Sequence, residues 1–287
     1  MKLITGASGA LGSKILKQLL TTENPATLAA LVRDESKATD LIAAGVQIRK
    51  GDYFDSKSLE NAFEGVTQLV LISSNDFNDR FGQHQRVIDA AVKTGVQHIY
   101  YTGVSMRSID ESPLRPFLED HYLTEEYIKA SGLTYTFLQH TLYAEVIPMF
   151  LGPQVVESGV FFPAGEGRVP YATREDLAEA IATILRSSGH ENKTYRMTNS
   201  SSWSYASIAE ILSDLHGKKV GYVSPTPEEF EAVLQNLGLP ESIIQMSLGF
   251  AAGIAHHDFE DSYEDLTQIL GRKPTDLKEF LKSVYAL

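Results

Sequence analysis

The first residues with a clear chemical use are the glycines of the opening stretch ITGASGALG. Gly6, Gly9 and Gly12 follow a G-x-x-G-x-x-G spacing, which dinucleotide-binding loops place between a strand and a helix. Gly6 permits a tight exit from the strand, Gly9 lets backbone N–H groups approach pyrophosphate oxygens, and Gly12 lets the helix lie close to the sheet. The helix N-terminus adds unpaired donors and a positive dipole end. The alternative is a purely structural turn. We predict phosphate binding by Gly6, Ala7, Ser8, Gly9, Ala10, Leu11 and Gly12.

Two basic residues after the second predicted strand bear on the choice of dinucleotide. NAD-binding chains usually carry Asp or Glu at the end of this strand, whereas here it ends Leu31-Val32-Arg33. A guanidinium cannot accept hydrogen bonds from ribose hydroxyls, but it binds a phosphate with two parallel donors. Lys37 lies one helical turn further on. The pattern favours NADPH over NADH, with both side chains at the 2′-phosphate; an exposed, solvated pair is the alternative.

Asp52 and Tyr53 follow the third predicted strand, where they could flank an adenine ring. Tyr53 and Lys57 also form a Tyr-x-x-x-Lys match, the pair with which short-chain dehydrogenases exchange a proton with an alcohol. This match lies on the adenine side of the predicted sheet, so we interpret it as chance. Where the pair would normally fall, Tyr122 is followed by Glu126, and a carboxylate cannot lower a tyrosine pKa. Ordinary alcohol dehydrogenation is therefore disfavoured.

The ends of the fourth and fifth predicted strands carry further candidates, because ligands of doubly wound sheets bind beyond the carboxyl ends of the strands. Ser73 and Ser74 could hydrogen-bond the nicotinamide ribose, or they could cap the next helix. Tyr101 and Thr102 are predicted to line the nicotinamide.

The segment LQHTLYAE, which follows the sixth predicted strand, offers candidates for substrate binding. Tyr143 could donate a hydrogen bond to a substrate carbonyl, or it could pack among its apolar neighbours. On the preceding helix, His121 and Glu125 share one face and could contact ribose or substrate, or form a surface pair. The candidate catalytic residues are Tyr143, His140 and Tyr101.

A regular alternation of strands and helices must position these residues. Predicted strands cover residues 2–5, 27–33, 46–50, 68–73, 98–102 and 134–138. They are continuously apolar, as in a sheet covered on both faces. The pattern predicts an α/β fold with a doubly wound parallel sheet, an NAD(P)-binding Rossmann domain over residues 1–140. Residues 141–287 are expected to form a smaller substrate-binding part, some of whose elements pack back on the sheet.

The composition disfavours several other classes of protein. A hydrophobic content of 43% in 287 residues supports a folded core, and a net charge of −12 argues against a general nucleic-acid binder. We expect no membrane segment, because neither a long apolar run nor a basic leader is present. The absence of cysteine fits a reducing cytoplasm. His256, His257 and Asp258 are adjacent and point in different directions, so we expect no metal site.

Several segments together resemble the NmrA-like atypical short-chain dehydrogenases, and more narrowly their quinone oxidoreductase and triphenylmethane reductase branch. They are ITGASGALG, LVRDESKA, GDYFD, LISS, HIYYTG, LTEEYIKASGLTYTFLQHTLYAE and TREDLAEAIATIL. The resemblance implies a flavin-free enzyme that passes hydride directly from NADPH to an electrophilic acceptor, such as a quinone or a triphenylmethane-type dye. It matches Arg33 to the 2′-phosphate contact, Ser73 to a residue beside the cofactor, and Tyr143 to an aromatic residue of the substrate pocket.

Two departures concern the acceptor side: Gln139-His140 stand where members often have Arg-Asn, and Glu126 stands where many have Lys. Quinones and cationic dyes accept hydride readily, so we expect no strong protein acid and protonation by bulk water. Tyr143 and His140 would shape the pocket with an apolar wall of Val146, Ile147, Met149 and Phe150. The rival hypotheses are a regulator that senses NADP(H) without turnover, and a nucleotide-binding scaffold without activity. We expect a monomer or a homodimer.

Overall fold

The computed structural model describes residues 1–285, in which strands and helices alternate as far as residue 140. The strands here are β1 (Lys2–Ile4), β2 (Leu28–Val32), β3 (Gln47–Lys50), β4 (Gln68–Leu71), β5 (His98–Val104) and β6 (Thr134–His140). The helices are α1 (Gly12–Leu20), α2 (Thr39–Ala43), α3 (Ser56–Ala62), α4 (Arg80–Thr94) and α5 (Arg115–Ala130). Every predicted strand is present, with ends that differ by at most about two residues, the usual uncertainty of an element boundary.

The remaining elements are shorter and less regular. They are α6 (Ile147–Leu151), α7 (Val155–Ser158), β7 (Val160–Phe161), β8 (Arg168–Val169), α8 (Arg174–Arg186), β9 (Lys193–Met197), β10 (Trp203–Ser204), α9 (Tyr205–His216), β11 (Tyr222–Val223), α10 (Pro227–Asn236), α11 (Glu241–Ala255), α12 (Asp265–Leu270) and α13 (Leu277–Tyr285).

Seven strands form one sheet in the order β3-β2-β1-β4-β5-β6-β9. The five pairings among β1 to β6 are all parallel. The strand order reverses between β1 and β4, and in doubly wound sheets ligands bind at such a switch point. The predicted doubly wound parallel sheet is therefore confirmed.

The structure divides into two compact units, and neither is continuous in sequence. The first unit consists of Met1–Val104, Glu119–His140 and Arg174–Arg196, and the second, within the described residues, of Ser105–Leu118, Thr141–Thr173 and residues 197–285. The predicted boundary at residue 140 coincides with the end of β6. Residues 174–196 return to the first unit, where they supply α8 and most of β9.

Each unit has its own core. In the first unit, α1 buries Ile15, Leu16 and Leu19 on one face, and a larger apolar cluster includes Leu3, Leu31, Leu59, Phe63, Leu69, Leu71, Val87, Ile88, Ile99 and Phe137. The second unit is held by aromatic contacts around Phe162, whose ring stacks on Tyr205 with centroids 4.4 Å apart and meets the Phe230 ring edge-on at 5.4 Å. These contacts bury large apolar surfaces within the second unit.

Candidate functional site

The loop between β1 and α1 has a backbone that requires glycine. Gly6 has a φ of +56°, in the left-handed region. A Cβ at Gly12 would lie 2.9 Å from the Ala7 Cα and would also collide with the Gly6 carbonyl oxygen. A hydrogen bond from Gly9 N to Gly6 O, 2.9 Å long, closes the turn. The turn therefore needs glycine at Gly6 for its φ, and the loop can pass close to the start of α1 only because Gly12 has no side chain.

The exposed part of this loop is mostly bare backbone. Ser8, Gly9 and Ala10 are exposed, whereas the side chains of Ala7 and Leu11 are buried. Leu11, at the N-cap of α1, makes no side-chain capping bond, and no acidic residue lies in the first turn of the helix. Helix N-terminal N–H groups and the helix dipole favour an anion at such a position. The loop fits a diphosphate held by backbone donors, with Ala7 and Leu11 serving as packing residues.

Arg33 and Lys37 are both exposed directly after β2, the strand next to β1. Within residues 1–285, neither side chain forms a hydrogen bond or an ion pair. The acidic residue between them is already engaged, because Asp34 Oδ1 accepts hydrogen bonds from Ser36 N (3.0 Å) and Ser36 Oγ (2.7 Å). These bonds lower the pKa of Asp34. Two cations therefore stay available for an anionic group at this end of the sheet.

Tyr53 connects the ends of three strands. Its hydroxyl lies 2.5 Å from Thr5 Oγ1 and 3.1 Å from Ile72 O, just beyond β1 and β4. Burial raises the pKa of Tyr53, and Lys57 instead lies 3.5 Å from Glu60 Oε2, so the two residues do not form a proton-exchange pair. Asp52 Oδ1 accepts a hydrogen bond from Phe54 N at 3.0 Å. Contact of Asp52 and Tyr53 with an adenine ring stays a prediction.

The segment after β4 is held by side chains from neighbouring elements. Ser73 N donates to Thr102 Oγ1 (2.9 Å), and Ser74 N donates to His84 Nε2 (3.0 Å). Thr102 is buried and its hydroxyl oxygen accepts the bond from Ser73 N. Contrary to the prediction, its side chain is therefore not available to line the nicotinamide. Ser74 does not cap α4 either, because its hydroxyl accepts a bond from Asp76 N (3.1 Å) and the helix begins only at Arg80.

Tyr101 lies in the core of the first unit, which corrects the prediction that it lines the nicotinamide. Its side chain is 0% exposed and its hydroxyl lies 2.8 Å from His121 Nδ1. The reason is that both faces of the sheet are covered, so the alternation along β5 brings neither Tyr100 nor Tyr101 to the surface. His121 and Glu125 are also buried, which excludes the surface pair. Burial raises the pKa of Glu125.

His140 and Tyr143 follow one another at the end of β6 but differ in exposure. His140 is buried, and burial together with the positive charge of Arg174 lowers its pKa to about 3, so its imidazole is neutral at pH 7. Tyr143, in the second unit, is half-buried and forms a backbone bridge with Ala172. Its contact with an acceptor stays a prediction.

The predicted apolar wall is only partly available on the surface of the second unit. Ile147 is fully buried, and the ring of Phe150 stacks on Phe162 at 5.1 Å, so both residues pack within the unit. Met149 is 67% exposed and Val146 is half-buried. The prediction is therefore wrong for Ile147, whose side chain belongs to the core.

Sequence reasoning missed the polar side chains behind the segment after β4. Arg80, His84 and Thr124 are almost completely buried and hydrogen-bonded. The spacing of Arg80 and His84, four residues apart at the start of α4, was the available signal. Phe54, an aromatic residue that is 54% exposed directly after Tyr53, was also overlooked.

The described residues contain no cluster of three or more side chains suited to a metal ion. His256 and His257 each have a carboxylate partner, Asp258 at 2.7 Å and Glu260 at 3.1 Å. Among the helices within residues 1–285, none is both long and apolar enough to span a bilayer.

The doubly wound sheet and the glycine loop at its switch point define a Rossmann protein of the NAD(P)-binding class. Comparison with known proteins is more specific. The model of the NmrA-like family matches residues 2–281, and the chain belongs to that family.

Similar proteins match this chain over nearly its whole length. Quinone oxidoreductase 2 of Escherichia coli K12 is 35% identical over 283 residues, which cover 98% of each chain. The crystal structure of an NADPH-dependent quinone oxidoreductase from Escherichia coli, complexed with NADPH, is 33% identical with a TM-score of 0.93, covering 99% of this chain and 100% of the other. The triphenylmethane reductase of Citrobacter sp., complexed with NADP(H), is 36% identical with a TM-score of 0.92 and the same coverage.

Proposed function

We propose that the protein is an NADPH-dependent oxidoreductase that transfers hydride directly, without flavin, to an electrophilic acceptor such as a quinone or a triphenylmethane-type dye. The observation that carries this proposal is the exposed pair Arg33 and Lys37, which forms no hydrogen bond or ion pair within residues 1–285 and follows the strand beside the glycine loop. Two similar structures, at 33% and 36% identity, contain NADPH or NADP(H).

The residues present fit an NADPH molecule. In this proposal, the backbone from Gly6 to Gly12 holds the diphosphate, and Arg33 and Lys37 bind the 2′-phosphate. Asp52 and Tyr53 lie beside the adenine, and Ser73 offers its hydroxyl to the nicotinamide ribose. Ser74 contributes to the cofactor site by its position in the same segment, next to Ser73. Tyr143 contacts the acceptor, whereas His140 is buried and stabilises the end of β6.

The reaction needs position more than acid catalysis. When bound, the nicotinamide supplies a hydride, which carries two electrons and one proton to the acceptor. A quinone then takes a second proton from water to give the hydroquinone, and a cationic dye becomes neutral on accepting hydride alone. The task of this chain is therefore to hold the cofactor and an apolar acceptor in contact, which is a large part of catalysis for a reactive acceptor.

Initial rates of NADPH and NADH oxidation test the proposal, measured anaerobically with a panel of quinones and triphenylmethane dyes. Arg33→Ala removes charge-assisted hydrogen bonds to phosphate worth about 1.5–3 kcal/mol, so the KM for NADPH is expected to rise about tenfold to a hundredfold. The KM for NADH is expected to stay unchanged. Lys17→Ala is the matched control, because Lys17 is exposed in the last turn of α1, away from the loop.

The outcomes separate the enzyme from its rivals. Saturable turnover that prefers NADPH, and loses that preference in Arg33→Ala, supports the reductase and the cofactor assignment together. Tight NADPH binding without turnover of any acceptor would favour the regulator, and an absorption band of bound flavin in the active protein would contradict direct transfer. Sedimentation of the same sample decides between the predicted monomer and homodimer.

A further inference from the structure

Five polar side chains form a buried layer behind the segment that follows β4. We call it the buried polar layer; it consists of Arg80, His84, Tyr101, His121 and Thr124. His84, Tyr101 and Thr124 are 0% exposed, and Arg80 and His121 are 3% and 8% exposed. Burying polar groups costs free energy unless they are hydrogen-bonded, so the contacts within this layer need an explanation.

The contacts of His84 fix its tautomer. The backbone N–H of Ser74 donates to His84 Nε2 at 3.0 Å, so this ring nitrogen carries no proton. His84 Nδ1 must then carry the proton, and it donates to Thr124 Oγ1 at 2.9 Å. Thr124 in turn donates to Asp120 O at 2.6 Å. This chain of hydrogen bonds joins α5 to the segment after β4 through one imidazole, and it works in one tautomer only.

Two further bonds hold the same segment. Arg80 Nε donates to Ser74 O at 2.7 Å, and Ser73 N donates to Thr102 Oγ1 at 2.9 Å. The N–H groups of Ser73 and Ser74 are thus both engaged by side chains, and neither belongs to a strand or helix ladder. The shape of this turn is set by its neighbours rather than by its own backbone.

The turn faces the candidate cofactor loop. A Cβ placed on Gly6 would lie 3.5 Å from Ile72 Cβ, and Thr5 Oγ1 accepts a bond from Ile72 N at 2.9 Å. The segments after β1 and β4 therefore meet at the switch point of the sheet. Arg33 lies on the β2 side of this point. A dinucleotide whose 2′-phosphate lies at Arg33 extends its nicotinamide half toward β4, because such sheets bind the two nucleotide halves on opposite sides of the switch point.

We propose that His84 is a positioning residue for NADPH, which sets the Ser73–Ser74 turn against the nicotinamide half of the cofactor without touching it. This inference rests on the proposed function, since it requires the cofactor site described above. It assigns a use to a buried histidine at 0% exposure, and it predicts an effect confined to one half of the dinucleotide.

Two ligands test this inference on the intact protein: NADPH, and 2′,5′-ADP, which contains only the adenosine half. His84→Leu removes the acceptor of the Ser74 N–H, so the turn is no longer held in place and the Kd for NADPH is expected to rise about tenfold. The Kd for 2′,5′-ADP is expected to stay within about twofold, because its contacts lie on the other side of the switch point.

Two companion variants keep the test informative if His84→Leu folds poorly. Thr124→Val removes the acceptor of His84 Nδ1, so the ring can carry its proton on Nε2 instead. This variant, like His84→Leu, is expected to raise the Kd for NADPH. Thr124→Ser keeps the hydroxyl and restores binding. His98→Leu is the matched control: it removes another buried histidine with a threonine partner, Thr136 at 2.8 Å, at the opposite end of β5.

The outcomes distinguish this inference from the proposed function. If the wild-type protein does not bind NADPH, the proposed function fails, and this inference fails with it. If the wild type binds NADPH but His84→Leu and Thr124→Val leave its Kd unchanged, only the positioning role is wrong. Equal weakening of NADPH and 2′,5′-ADP, or the same NADPH loss in His98→Leu, would also overturn it by showing a general effect of instability.

Discussion

Gly12 offers the sharpest test of the cofactor loop, because two physical effects oppose each other there. Gly12 is the first residue of α1, and Ala is favoured over Gly inside a helix by about 1 kcal/mol. An added Cβ would lie 2.9 Å from the Ala7 Cα and against the Gly6 carbonyl. Backbone atoms cannot move aside as a flexible side chain can, and overpacking of this kind costs about 1–3 kcal/mol. We therefore expect Gly12→Ala to destabilise the protein.

Thermal unfolding with and without NADPH measures both consequences of this change. Each kcal/mol lost from the free energy of unfolding lowers Tm by about 2–4 °C in a chain of a few hundred residues. The displaced loop also weakens NADPH binding, so the increase in Tm on adding NADPH shrinks. Gly221→Ala is the control, because nothing lies within 4 Å of a Cβ at that position. A Gly12→Ala protein with raised Tm and unchanged NADPH affinity would refute the steric reasoning.

Two further predictions concern the end of β6 and the turn after it. The pKa of His140, about 3 in the folded protein against an ordinary 6.5, means that the unfolded chain takes up a proton first as the pH falls. The free energy of unfolding is therefore expected to fall from about pH 6.5 downward, at roughly 1 kcal/mol per pH unit. His140→Asn should reduce that slope. Urea unfolding between about pH 6 and 5 measures it, and an unchanged slope in the variant would contradict the prediction. Tyr143→Phe is expected to lower acceptor turnover while NADPH binding is kept; unchanged turnover would reduce Tyr143 to packing.

The cofactor loop was predictable because its constraints are local. A glycine is required wherever φ is positive or a backbone passes too closely, and Gly6 and Gly12 show these two conditions in turn. The strands were predictable for a similar reason, since apolar runs mark a sheet covered on both faces. General rules of connection then reduce the possible strand orders to a handful, of which the doubly wound order is typical of dinucleotide-binding folds.

The buried polar layer was not predictable, because it depends on hydrogen bonds between segments that are distant in sequence. Helix α4 begins at Arg80, and its first two turns contain polar residues that apolar periodicity does not recognise. Those residues are buried through hydrogen bonds to other segments, as Ser74 to His84 shows. Tyr101 was predicted to lie near the end of its strand, but β5 continues to Val104, so Tyr101 lies within the buried sheet.

The buried groups near the ends of β4 to β6 also limit the chemistry available to the first unit. Burial lowers the pKa of His84 and His140 to about 3 and that of His121 well below its ordinary value, and it raises the pKa of Tyr101. A histidine that is neutral at pH 7 is not a general acid, because the one proton it keeps is too weakly acidic. A buried phenol with a raised pKa is likewise a poor proton donor. An acceptor that needs protonation in the transition state, such as a simple ketone, finds no help from these four groups. A quinone or a cationic dye needs none, because the hydride alone relieves its electron deficiency. The buried groups at this end of the sheet, and the lack of a Tyr-x-x-x-Lys pair at the expected position, thus both fit the reactive acceptors of the proposed function.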